Sequence, residues 1–226
     1  MDVVAPIPSP RLRSVAAGRA VPAVLGMAIA AELLCLTVIA LGASDAHRVL
    51  VPAALHAFPG WLHGPLPALD AGLSSTDVGV LLVTMVLGYG VAIACAARVP
   101  GRWPLAVAVV AIAICGLAPP LLSADVFGYV AWGELGAHGV NPYTHPSIAV
   151  GHDAVRPFLL WHHGASPYGP LFTVLTYALA PLSVGAALWT LKAVAALCGV
   201  ACVWACCGGR PRGWVNRPRG QRPPSR

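Results

Sequence analysis

The feature that most constrains this chain is a series of apolar runs, at residues 21–42, 78–97, 104–122 and 171–207. About 20 apolar residues match the roughly 30 Å of hydrocarbon in a bilayer. At that depth every backbone N–H and C=O must find its partner within the protein, which a helix does alone. The runs therefore predict an all-α, polytopic membrane helix bundle and leave no soluble domain. The last run is too long for one crossing, and Pro181, Ser183 and Gly185 mark a helical hairpin inside it. Five spans follow, at 21–42, 78–97, 104–122, 171–184 and 185–207. Composition agrees: only 10% of residues are charged, against about 25% in soluble domains.

Two polar stretches interrupt the runs, at 44–77 and 123–170. Together with their edges they hold all eight histidines and six of the eight acids. Arginine and lysine set the orientation. With the N-terminus in the cytoplasm, Arg11, Arg13, Arg19, Arg98 and Arg102 lie inside and Lys192 can snorkel inward, while only Arg48 and Arg156 sit in the outer loops. This predicts a multi-pass protein of the inner (plasma) membrane with 44–77 and 123–170 on its outer face. Trp61, in FPGWLHGPLP, suits the headgroup region, where Trp is enriched.

The ends read differently. Residues 1–20 form a basic cytoplasmic tail, where Pro6, Pro8 and Pro10 argue against an early helix. Ala40-Leu41-Gly42 resembles a signal cleavage site, but the run before it is longer than a signal core of about 7 to 15 residues. Residues 208–226, rich in Arg and Pro, read as disordered. Five spans would put their six arginines outside, against the charge rule. The expectation is a truncated or frame-shifted product with a non-native tail. The seven cysteines fall in apolar runs or at their ends, as small buried hydrophobes would. Glu32 lies near the middle of the first run, where a carboxylate is costly and marks either a functional group or a protonated side chain bonded to a neighbouring helix.

The 123–170 stretch organises the rest. After Pro119-Pro120, the residues DVFGYVAWGELGAHG place Asp125, Tyr129 and Trp132 on one helical face. Val126, Val130 and Leu135 then face the bilayer or core. This predicts a short interfacial helix ending at Gly139, with Asn141-Pro142 turning the chain. Ser166-Pro167-Tyr168-Gly169-Pro170 forms a rigid re-entry into the membrane. By position alone, Asp125 serves equally as an N-cap or as a catalytic carboxylate.

The fragments APPLLSADVFGYVAWGELGAHGVNPYT and SPYGPLFTVLTYAL, in this order, closely resemble the bacterial polyprenol-phosphate-mannose-dependent mannosyltransferases. These are multi-spanning enzymes of the GT-C class, notably the alpha-1,6-mannosyltransferases of the actinobacterial lipomannan core. The likeness covers residues 104 to 185, and family members are much longer. It implies an N-terminal part of a GT-C-like fold at 21–207. It also implies transfer of mannose, or another hexose, from a polyprenyl-phosphate donor to a glycan or glycolipid hydroxyl, with inversion. Asp125 occupies the position of the family's acidic base. A carboxylate there can stabilise charge on the sugar ring and take the acceptor proton.

On that reading Arg156, the only arginine of 123–170, clamps the leaving phosphate. Its alternative is a solvated or headgroup-binding side chain. His145, His152, His162 and His163 are further donors whose spacing does not suggest a metal, and no metal or cofactor is expected. Tyr129, Tyr143 and Tyr168 pack sugar faces or gate the lipid entrance. Trp132 fits an aromatic belt better. Glu134 and Asn141 bond sugar hydroxyls, although Asn141 also suits the turn before Pro142. The rival readings are a transporter or lipid-translocating protein built on Glu32, and an inactive truncated fragment.

Overall fold

The structure is a computed structural model and describes residues 10–44, 50, 59–69, 72–95, 102–149, 155–160 and 163–208. The described residues form six α-helices and two short 3-10 turns, with no strand among them. The helices are α1 (Pro10–Ser44), α2 (Ser75–Cys95), α3 (Arg102–Leu117), α4 (Asp125–Ala137), α5 (Pro170–Leu179) and α6 (Val184–Gly208). This is a membrane-type helix bundle. The proposed tail at 208–226 lies almost wholly outside the described residues, as do His152, Asp153 and His162.

Three helices have the length and apolarity to cross a membrane, over Pro22–Ser44, Ser75–Cys95 and Val184–Cys206. The other two expected spans are shorter apolar helices, Trp103–Leu117 and Pro170–Leu179. Proline explains both lengths. The residue before a proline is pushed out of helical geometry, so α3 stops ahead of Pro119-Pro120 and α5 ahead of Pro181. Helix α1 starts earlier than the prolines suggested, at Pro10. A proline in the first helical turn loses no intrahelical bond, and Pro22 is carried inside.

The helices pack in pairs, α1 with α2, α3 with α6, and α4 with α5. Both polar stretches gather at one end of this bundle. The Leu122 N–H donates to the Leu50 carbonyl at 2.9 Å, and the Trp189 indole N–H donates to the Trp61 carbonyl at 2.8 Å. The imidazole of His63 lies 2.8 Å from the Ser44 carbonyl at the last residue of α1. Gly64 makes the close approach possible. Its φ is +73°, and a Cβ there would stand 2.6 Å from the Trp189 ring and 2.8 Å from the Leu117 carbonyl oxygen.

Lys192 differs from its expected role. Its ammonium does not reach the far face but donates to the Cys115 carbonyl at 2.9 Å. Cys115 lies in the last turn of α3, where carbonyls have no intrahelical partner. Lys192 thus caps α3 from α6.

Candidate active site

The route into the site begins at the end of α3. Pro119 and Pro120 are buried, and Leu122 follows with φ of +59°. That conformation is uncommon for a residue with a Cβ. Ser123 N–H closes a tight turn on the Leu121 carbonyl at 2.7 Å. Ala124 is the N-cap of α4 and supplies no side-chain cap. Asp125 is therefore the first residue of the helix rather than its cap, and its own N–H donates to the Ser123 hydroxyl at 3.2 Å. Among the described residues, no hydrogen bond or ion pair engages its carboxylate. An acid in the first turn suits the positive end of the helix dipole.

Helix α4 is more enclosed than an amphipathic interfacial pattern implies. Phe127, Gly128 and every residue from Val130 to Leu135 are buried. Three glycines allow this, since neighbours approach the backbone directly. A Cβ on Gly133 would meet the Thr176 carbonyl of α5, and one on Gly136 would meet the Tyr177 ring. The helix ends as expected at Gly139, φ +75°. The Gly139 N–H bonds to Gly136 and the Val140 N–H to Leu135, a double closure that satisfies the last carbonyls.

Asp125, Tyr129 and Trp132 share the α4 face that meets the re-entry segment and α5. The Tyr129 hydroxyl donates to that of Tyr168 at 3.3 Å. The two rings meet edge to face with centroids 4.8 Å apart, and Phe172 lies 4.9 Å from Tyr129. Trp132 tilts against Tyr168 at 5.8 Å, while its indole N–H donates to the Gly164 carbonyl. Four aromatic rings thus sit on the Asp125 side of α4. Burial, first, and then the Tyr168 hydroxyl and the Asp125 charge push the Tyr129 phenol well above its ordinary range. Tyr129 stays a neutral hydroxyl, able to donate, at any physiological pH.

The other expected residues fall into two groups. Tyr143 and Asn141 lie on the exposed turn after α4. The Tyr143 hydroxyl donates to Thr173 of α5 at 2.8 Å. The Asn141 side-chain amide oxygen, Oδ1, accepts the Tyr143 N–H at 2.9 Å, so that side chain shapes the turn. Glu134 and Arg156 lie away from the Asp125 face. Glu134 is buried and sits roughly 180° around the axis from Asp125, close to Phe127 at roughly 200°, at about 100° per residue. Arg156 is exposed, in the 3-10 turn Arg156–Phe158. Phe158 stacks on Phe127 at 4.7 Å, which fastens this turn to the first turn of α4. Arg156 and Asp125 thus flank the same helix end from different sides. Phe172, Phe158, Trp61 and Trp189 were not singled out as site residues by sequence; only the four-residue step from Tyr168 to Phe172 could have signalled one.

Comparison with known proteins decides the family. The family described as "Alpha-(1->6)-mannopyranosyltransferase, N-terminal domain" matches residues 23–208. The chain belongs to this family. A "Probable alpha-(1->6)-mannopyranosyltransferase" of Mycolicibacterium smegmatis is 32% identical over 107 residues, covering 38% of this chain and 19% of the relative. An alpha-(1->6)-mannopyranosyltransferase of Mycobacterium tuberculosis is 33% identical over 107 residues, covering 38% and 18%. The match thus spans less than a fifth of either relative's length. No solved structure matches the chain.

Proposed function

We propose that this chain carries the catalytic face of a membrane hexosyltransferase that takes mannose from a polyprenyl-phosphate donor. The acceptor is a hydroxyl of a glycan or glycolipid at the outer face of the plasma membrane. The observation that carries this reading is Asp125: a carboxylate at the start of a buried helix, with no bond to the fold among the described residues, beside the hydrogen-bonded hydroxyls of Tyr129 and Tyr168. The acceptor oxygen attacks the anomeric carbon as its bond to the phosphate oxygen breaks. The electron pair leaves with the polyprenyl phosphate, and the acceptor proton passes to Asp125. Attack from the face opposite the phosphate inverts the centre. General-base assistance of this kind contributes about 10² to 10⁴ in rate.

Family membership supports the sugar and the linkage, and the apolar helices support the membrane setting. Tyr129 and Tyr168 are the candidates for hydrogen bonds to sugar hydroxyls, with Phe172 as a ring to pack against. Tyr143 and Asn141 border that side, and Arg156 approaches the same helix end as a partner for phosphate. Glu134, buried on the side of α4 turned away from Asp125, is the weakest of the candidates for a sugar hydroxyl. Transport centred on Glu32 finds less support. Its carboxyl is wedged against Gly88 of α2, and both helices run unbroken past it, whereas transporter sites use interrupted helices.

The test is to incubate membranes containing the protein with labelled polyprenyl-phosphate mannose, and separately with a nucleotide-linked mannose. Elongated glycolipid with an alpha linkage from the lipid donor alone is expected. Transfer only from the nucleotide donor would overturn the reading.

A further inference from the structure

A cleft of about 630 Å³ opens on the opposite side of α4 from Tyr129. Its walls come from elements far apart in sequence: Pro59 and Trp61 of the first polar stretch, Pro157 and Phe158 of the second, and Ser183 to Ala186 with Trp189 at the start of α6. It is a built feature. Trp61 packs edge to face on Phe158 with centroids 5.4 Å apart. Its side chain also lies 3.2 Å from where a Gly185 Cβ would be. Trp189 is held by its bond to the Trp61 carbonyl. This size suits a ligand.

The chemistry of the walls selects the occupant. They are rings, prolines and small apolar groups, and the one side-chain hydroxyl, Ser183, already accepts the Ala186 N–H at 3.3 Å. A sugar bound there would find few partners for its hydroxyls, the Ser183 hydroxyl and the Trp61 indole N–H being the side-chain groups on offer, which is costly. An apolar chain gains by the same transfer. The cleft lies where the membrane-length segment of α6 begins, so a chain can enter it directly from lipid. Charge marks its rim. Exposed Arg156 immediately precedes the wall residue Pro157.

We propose that this cleft holds the first isoprene units of a polyprenyl phosphate, with the phosphate at Arg156 and the attached sugar reaching round the end of α4 to Asp125. The assignment rests on the function proposed above and adds where the donor's lipid chain lies. It leaves the Tyr129–Tyr168 side of α4 for the acceptor. The Phe127–Phe158 stack then separates the two substrates while holding both to one helix turn.

The experiment uses a polyprenyl phosphate carrying a photoreactive group near the phosphate, with the protein in membranes and the cross-linked peptides read by mass spectrometry. Labelling is expected on the segments around Trp61, Phe158 and Trp189. Ala186→Trp, which fills the cleft, should cut that labelling about tenfold, the effect of excluding roughly two methylene-sized groups. Arg156→Gln should weaken capture of the phosphate and leave that of the uncharged polyprenol unchanged. Labelling confined to the outer face of α5 would overturn the assignment, as would equal labelling by an acyl phospholipid probe. The two proposals separate cleanly. Cleft labelling without mannose transfer removes the function and keeps the site, and transfer with labelling elsewhere does the reverse.

Discussion

Gly133→Ala tests whether the site depends on the distance between α4 and α5. A Cβ at that position would stand 2.8 Å from the Thr176 carbonyl carbon and 3.0 Å from its Cβ. Carbon atoms prefer about 3.5 to 4.0 Å, so the helices must part by roughly 0.7 Å. The obstacle is backbone and cannot swing aside as the Tyr177 ring opposite Gly136 can. Two effects oppose each other in stability. Alanine favours a helix interior by about 1 kcal/mol over glycine, while overpacking costs about 1 to 3 kcal/mol. The net loss is about 0 to 2 kcal/mol, enough to lower the thermal midpoint slightly without unfolding the protein. Activity should fall far more. Parting α5 from α4 draws Tyr168 and Phe172 away from Tyr129, and a misplacement near 1 Å can cost about 10² in rate. Mannosyl transfer and thermal unfolding in the same membranes give both numbers, with Gly136→Ala as the milder comparison. Wild-type turnover in Gly133→Ala would show that the α4–α5 contact does not set the reaction geometry.

Tyr129→Phe removes the hydroxyl pair with Tyr168 and should cost about 1 kcal/mol of stability. The Tyr129 phenol is raised in the fold, from its ordinary value of 10.0. Its stabilisation is therefore complete below pH 10 and declines above it, as the unfolded chain ionises first. Melting followed between neutral and strongly alkaline pH should lose part of that alkaline slope in the phenylalanine variant, and an identical slope would contradict the burial of this group. Lys192→Met should lower the thermal midpoint through loss of the Cys115 cap, worth about 1 kcal/mol, with unchanged melting counting against the cap.

Much of this was legible in the sequence, because hydrocarbon permits few backbone solutions. The apolar runs gave the helices, and Pro119-Pro120, Pro181 and Gly139 gave their ends. Asp125, Tyr129 and Trp132 could be placed on one face because helical spacing is regular. Helix length was read less well. The run 171–184 looked like a crossing, but Pro181 leaves only ten helical residues in α5. The burial of α4 was hidden because glycines at 128, 133 and 136 say nothing of what packs on them. The aromatic walls beside Phe127 join residues 61, 158 and 189, and no local pattern links such distant positions. Lys192 looked free to snorkel because its partner is a backbone carbonyl, which carries no sequence signal.

In the proposed reaction Asp125 is the base, and Asp125→Asn keeps its shape while removing that function. Mannose transfer from labelled polyprenyl phosphate, measured beside expression level and donor cross-linking, is the direct measurement. Transfer should fall by about 10² or more, with the protein still present in the membrane and still taking up donor. Turnover equal to the unaltered protein would place the base elsewhere.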